Sequence, residues 1–189
     1  MNKNKFFLAI LIIFLGVLSR ILLNEVMGIP NFEMVTSFSL VSGSFLGGVF
    51  APLIPILIIF LSDIYFGNSI IYLFTWSAFV LIGIFGVIFK RNSKYYFLKI
   101  TGGGILSVLF FYLWTNFGWW LTSGMYPMNS QGLITCYLAA IPFLKNQVIS
   151  VLVFAPIFSL IFSLIFNKFF VKKTKKHDPV RNSAYKLDF

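Results

Sequence analysis

Long apolar runs, separated by short polar breaks, limit what this chain can fold into more than any other feature. The runs cover residues 6–23, 34–50, 52–66, 70–89, 96–117 and 147–166. Crossing ~30 Å of hydrocarbon takes about 20 mainly apolar residues in a helix. Within hydrocarbon the backbone must satisfy its own hydrogen bonds, which favours helices over open strands. Composition agrees: 59% of residues are hydrophobic and 11% are charged, against about 45–50% apolar in soluble domains. The mean hydropathy is +0.91.

The sequence therefore predicts an all-α polytopic membrane protein with six transmembrane helices over residues 1–167 and a basic cytoplasmic tail at 168–189. A further apolar stretch, 132–144, has 13 residues. That is too short to span, so it reads as an interfacial or re-entrant piece before the last helix. The first run follows Lys3 and Lys5 and has the outline of a signal peptide. No small-x-small cleavage site follows it, and the apolar pattern continues through Arg20. A retained helix is expected.

Positive charge sets the expected orientation. All but Arg20 and Lys145 of the 15 lysines and arginines fall on one side of a six-span arrangement. The positive-inside rule makes that side, with both termini, cytoplasmic in an inner (plasma) membrane protein. The formal charge of +10 is thus read as lipid-facing and topological, not as nucleic-acid binding.

Several chemistries are not expected. The single Cys136 provides no disulfide partner or zinc set, and His177, the one histidine, lies in the tail. There is no P-loop for ATP hydrolysis and no Ser-His, His-Glu-x-x-His or paired-carboxylate set. The chain is read as a non-enzyme without cofactors or metal.

The half opposite the lysines collects the unusual groups. Arg20, Glu33 and Asp63 are ionisable groups near membrane depth, where they tend to be paired or functional. Arg20 can pair with Asp63 or Glu33, giving either a structural lock between the first and third runs or a gate. Trp76, Asn116, Trp120, Tyr126 and Tyr137 are the candidate solute contacts, since aromatic faces with a few amides suit a flat, weakly polar molecule. An ordinary interfacial aromatic belt accounts for some of them equally well. The second run is rich in small residues. Gly43 with Gly47, and Ser44 with Gly48, repeat the four-residue spacing that lets helices approach closely in lipid. That face serves internal packing or a partner.

Three motif groups carry a resemblance. The first runs from Asn31, Phe32 and Glu33 through the small residues to Leu61, Ser62, Asp63 and Gly67. The second is Thr115, Asn116, Phe117, Gly118 and Trp120, followed by Met125, Tyr126 and Pro127. The third is Gly132, Cys136, Tyr137 and Pro142. Over about residues 15–160 the chain resembles an uncharacterised family of small bacterial membrane proteins. More distantly it is similar to the substrate-binding S components of energy-coupling-factor vitamin transporters. That resemblance implies capture of a micronutrient-like solute at the outer face, with an energising transmembrane subunit and two ATPases as partners. S components carry an Ala-x-x-x-Ala docking patch on helix one, whereas the first run here offers Ala9 and Gly16, seven apart. The alternative reading is a scaffolding protein that docks other membrane helices through its small-residue face.

Overall fold

The computed structural model describes residues 3–67 and 70–166. The tail at 168–189, with His177 and its lysines, lies outside them. The described residues form seven α-helices and no strand: α1 Lys3–Leu22, α2 Val35–Phe45, α3 Phe50–Phe66, α4 Tyr72–Gly86, α5 Tyr96–Thr122, α6 Ser130–Ala139 and α7 Ile141–Phe166. A π-helical turn, Leu23–Met27, extends α1 and stops at Gly28, whose φ of 60° favours glycine.

Three helices are long and apolar enough to cross a membrane: α1 with its π turn, α5 and α7. The helices α2, α3 and α4 are shorter. Much of the outer surface is apolar, with Phe7, Phe14, Ile64, Leu98, Leu113 and Leu164 exposed. Apolar surface turned outward on this scale fits a lipid solvent better than water.

The second run departs most from expectation. Its helix ends at Phe45, not residue 50, and its 11 residues rise only ~17 Å at 1.5 Å each. Gly47 (φ 60°) and Gly48 (φ 53°) are left-handed turn residues between α2 and α3. They therefore contribute no helix-packing face. The expected Gly43–Gly47 pair is split between a helix and a turn.

Apart from Ser44, α2 is buried from Val35 to Phe45, because it is wrapped by the other helices. Gly43 is the closest approach: a Cβ there would lie 2.1 Å from the Gly83 carbonyl oxygen of α4. Gly86 of α4 meets the Leu40 backbone in the same way. On its other sides α2 stacks Phe38 on Phe158 of α7, ring centroids 4.3 Å apart, and sets Phe45 against Phe162 and Tyr96.

The stretch 132–144 also divides differently. Asn129 caps α6, its side chain accepting from the Gly132 N–H at 2.8 Å. The chain breaks at Ala140, and α7 begins at Ile141, before the expected residue 147. Pro142 sits in the first turn of α7, where a missing N–H costs no helix bond.

The helix order gives the bundle two unlike ends. At one, Lys5 donates to the Leu46 carbonyl, Ser44 donates to the Phe89 carbonyl, and Arg91 lies over the Phe166 ring. Lys90, Lys94 and Lys99 are at this basic end, in or beside the α4–α5 connection. At the other, α1 and α3 end, α4 begins, α5 ends and α7 begins.

Candidate functional site

Asp63 organises the end opposite the lysine-rich one. It is buried near the C-terminus of α3. One carboxylate oxygen accepts from Arg20 of α1, and the other accepts from Trp76 Nε1 of α4 at 2.8 Å. Arg20 also donates to the Ser62 hydroxyl and lies over the Phe66 ring. Of the two acidic partners open to Arg20 in the sequence, the fold supplies Asp63.

Glu33 has another task. It precedes α2 and accepts from the Thr36 backbone N–H at 3.0 Å and from the Thr36 hydroxyl. The helix start is thereby capped by a carboxylate, which also suits the positive end of the helix dipole. Gln147 of α7 donates to Glu33 Oε1 at 3.4 Å, and Asn146 donates to the Pro30 carbonyl at 3.0 Å. These bonds seat the loop before α2 on α7. Burial pushes the Glu33 carboxyl up from its ordinary range, and the bonds from Thr36 and Gln147 oppose that rise.

Between these two groups lies a cavity of about 500 Å³. Arg20 lines it from α1, Asn24 from the π-helical turn, Asn31 and Glu33 from the following loop, and Thr75 and Phe79 from α4. Phe111, Thr115, Asn116 and Trp119 line it from α5, and Phe143 and Gln147 from α7. Its buried floor is Val35, Phe79 and Phe111 with the polar Glu33, Thr115 and Gln147. Asn31 on the rim has a φ of 58°, the one positive value at a non-glycine residue among those described. Asparagine tolerates this conformation better than most side chains.

The sequence candidates separate here. Asn116, Arg20 and Glu33 line the cavity, whereas Asp63 stands behind Arg20 and Trp76 behind Asp63. Trp120 Nε1 donates to the Pro127 carbonyl at 3.0 Å and so closes the loop after α5. Tyr137 joins α6 to α5: its hydroxyl donates to the Leu113 carbonyl at 2.9 Å, and its own carbonyl accepts from the Tyr112 hydroxyl at 2.6 Å. Tyr126 is half-buried in the loop and does not line the cavity. Ser44 is spent at the basic end on the Phe89 carbonyl and stands 3.0 Å from the Tyr96 hydroxyl.

Thr75 and Gln147 were not singled out in the sequence, and Thr115 stood out only as part of a motif carrying the family resemblance. Gln147 had a visible signal, as an amide at the start of an apolar run. Thr75 had none, because threonine is common in apolar helices. Among the described residues no group of three or more His, Cys, Asp or Glu side chains could hold a metal.

Residues 1–176 match a family of unknown function, DUF6580. The chain belongs to that family. No curated protein and no solved structure matches this DUF6580 chain.

Proposed function

We propose that the chain is a membrane-embedded solute-binding subunit of a micronutrient uptake system, taking its solute into the cavity at the Arg20–Gln147 end. The observation that carries this reading is the cavity itself. Its volume, about 500 Å³, falls within the range of small-molecule sites, and its mixture of aromatic faces with a few convergent polar groups is typical of them.

In this reading α1, α5 and α7 cross the full bilayer, the shorter α3 and α4 and the buried α2 complete a six-helix bundle with them, and α6 lies at the interface. The cavity faces outward and the lysine-rich end faces the cytoplasm, as the positive-inside rule favours. An energising membrane subunit and ATPases would complete the system, as in the S-component arrangement the sequence resembles. A scaffolding role through the small-residue face has less support, since Gly43 is occupied by α4 of the same chain.

The test is thermal unfolding of the purified chain in detergent against a broad panel of vitamins, nucleobases and related solutes. Binding should raise the midpoint in proportion to RT ln(1 + [L]/Kd). A panel without any stabilising compound would count against solute binding.

A further inference from the structure

Away from the cavity, the α4–α5 pair carries two adjoining features. The first is an apolar groove of about 360 Å³ between the two helices. Leu81, Leu106 and Phe110 form its exposed walls, and Ile82 and Ser107 its buried floor. The Ser107 hydroxyl is spent inside α5, donating to the Gly103 carbonyl at 2.8 Å. The second is a smaller pocket of about 150 Å³ at the α4–α5 connection, where Lys90, Ser93 and Lys99 meet Ile88, Phe89 and Tyr96.

Both lie on one side of the helix pair. Lys99, Gly102, Leu106 and Phe110 recur at steps of three and four residues, which is one face of α5. Leu81, Phe85 and Ile88 make the matching stripe along α4 and into the turn after it. Gly102 leaves the way between pocket and groove open, since a Cβ there would meet nothing within 4 Å. Next to it Phe89 packs onto Gly103, where a Cβ would come 2.2 Å from the ring. From Lys99 to Phe110 the helix rises ~17 Å. That is about half of a ~30 Å hydrocarbon core, the depth of one acyl chain.

Charge decides what fits. Among the described residues no carboxylate pairs with Lys90 or Lys99, and the acidic side chains Glu25, Glu33 and Asp63 belong to the other end of the bundle. Lys99 donates to the Ser93 hydroxyl at 2.8 Å, and its ammonium keeps further N–H groups. The other cations of the connection are engaged with rings, Arg91 over Phe166 and Lys94 over Tyr95. Two cations opening onto an apolar groove suit an amphipathic anion. An apolar helix from a partner would fill the groove and leave the lysines unmet.

We propose that this face binds one anionic phospholipid, its phosphate at Lys90, Ser93 and Lys99 and an acyl chain along the groove to Phe110. Basic pockets between membrane helices hold such head groups. The proposal rests on the membrane placement given above and is independent of solute binding.

The test is native mass spectrometry of the delipidated full chain in detergent, titrated with phosphatidylglycerol or with phosphatidylcholine of the same acyl chains. Phosphatidylglycerol should bind about tenfold tighter or better, the scale of two lysine contacts. Lys90 and Lys99 are exposed, so the double variant Lys90→Gln, Lys99→Gln should fold and lose that preference. Lys94→Gln, on the same connection, should keep it. Gly102→Phe should weaken phosphatidylglycerol binding at unchanged thermal stability, because its ring has room and obstructs the acyl chain. Equal binding of the two lipids, or an equal loss from Lys94→Gln, would mean a diffuse basic surface and overturn the site. Displacement of the lipid by glycerol phosphate would overturn the part given to the groove. Recovery of the chain from the soluble fraction without detergent would overturn the membrane placement, and the lipid site with it.

Discussion

Trp76 Nε1 donates to one oxygen of Asp63 at 2.8 Å while the other oxygen accepts from Arg20. One carboxylate thus fastens α1 and α4 to α3, at the end of the bundle that holds the cavity. A carboxylate in this position is stabilised by partners on both sides, and each partner depends on it.

Asp63→Ala should therefore destabilise the protein by about 3 kcal/mol, because it leaves Arg20 partly buried without its counter-charge. The double variant Arg20→Leu, Asp63→Leu should recover much of the loss, since no lone charge is left behind. Thermal unfolding of the single and double variants in detergent measures this. Equal losses for both would mean that packing, not charge, holds the junction.

The two glycines of the four-residue pair should respond differently. At Gly43 an added Cβ would meet the Gly83 carbonyl at 2.1 Å, and backbone on both sides leaves little room to adjust. Gly43→Ala should cost about 2–3 kcal/mol, as overpacking does. At Gly47 an added Cβ has 3.7 Å to its nearest neighbour, but φ is 60°. Gly47→Ala should cost about 1 kcal/mol through backbone strain alone. Unfolding midpoints of the two variants give the comparison, and a larger loss at Gly47 would contradict the assignment.

Glu33 lies in the loop before α2, and burial raises its carboxyl above the ordinary carboxylate range. A raised folded-state value means that the folded protein holds this proton more tightly than the unfolded chain does. The associated stability is fully present below pH 4.5 and is lost as pH rises through the folded value. Glu33→Gln should flatten that part of the stability–pH profile and retain an acceptor for Thr36. An unchanged profile would exclude Glu33 as its source.

The Tyr137 hydroxyl of α6 donates to the Leu113 carbonyl of α5, and the Tyr112 hydroxyl of α5 donates to the Tyr137 carbonyl. Tyr137→Phe should free α6 more than it destabilises the whole, at about 1 kcal/mol. Hydrogen exchange should quicken within 130–139 and change little in α2. Uniform acceleration across both would argue against a local clasp.

Some of this was legible in the residues. Arg20 and Asp63 stood out because a charge in an apolar run calls for a partner, and Asn116 because an amide there needs a hydrogen bond. Trp120, Tyr126 and Tyr137 were equally conspicuous, yet Trp120 closes a loop, Tyr137 fastens a short helix, and all three lie outside the cavity lining. Side-chain type marks a polar demand without saying whether backbone or ligand meets it. The break at Gly47 was hidden by a spacing that a helix and a turn can both produce.

The sequence by itself determined that the described chain is helical with apolar faces outward, because hydrocarbon-like runs tolerate no unpaired backbone. It also separated a lysine-rich end from a mixed polar end, because charges collect where the runs stop. Only the tertiary structure decided that Arg20 pairs with Asp63, that Glu33 caps α2 beside Gln147, and that Thr75, Thr115 and Asn116 share one wall. Those pairings join residues far apart in the chain, and helix packing fixes them through contacts such as Gly43 on Gly83 that no local pattern encodes.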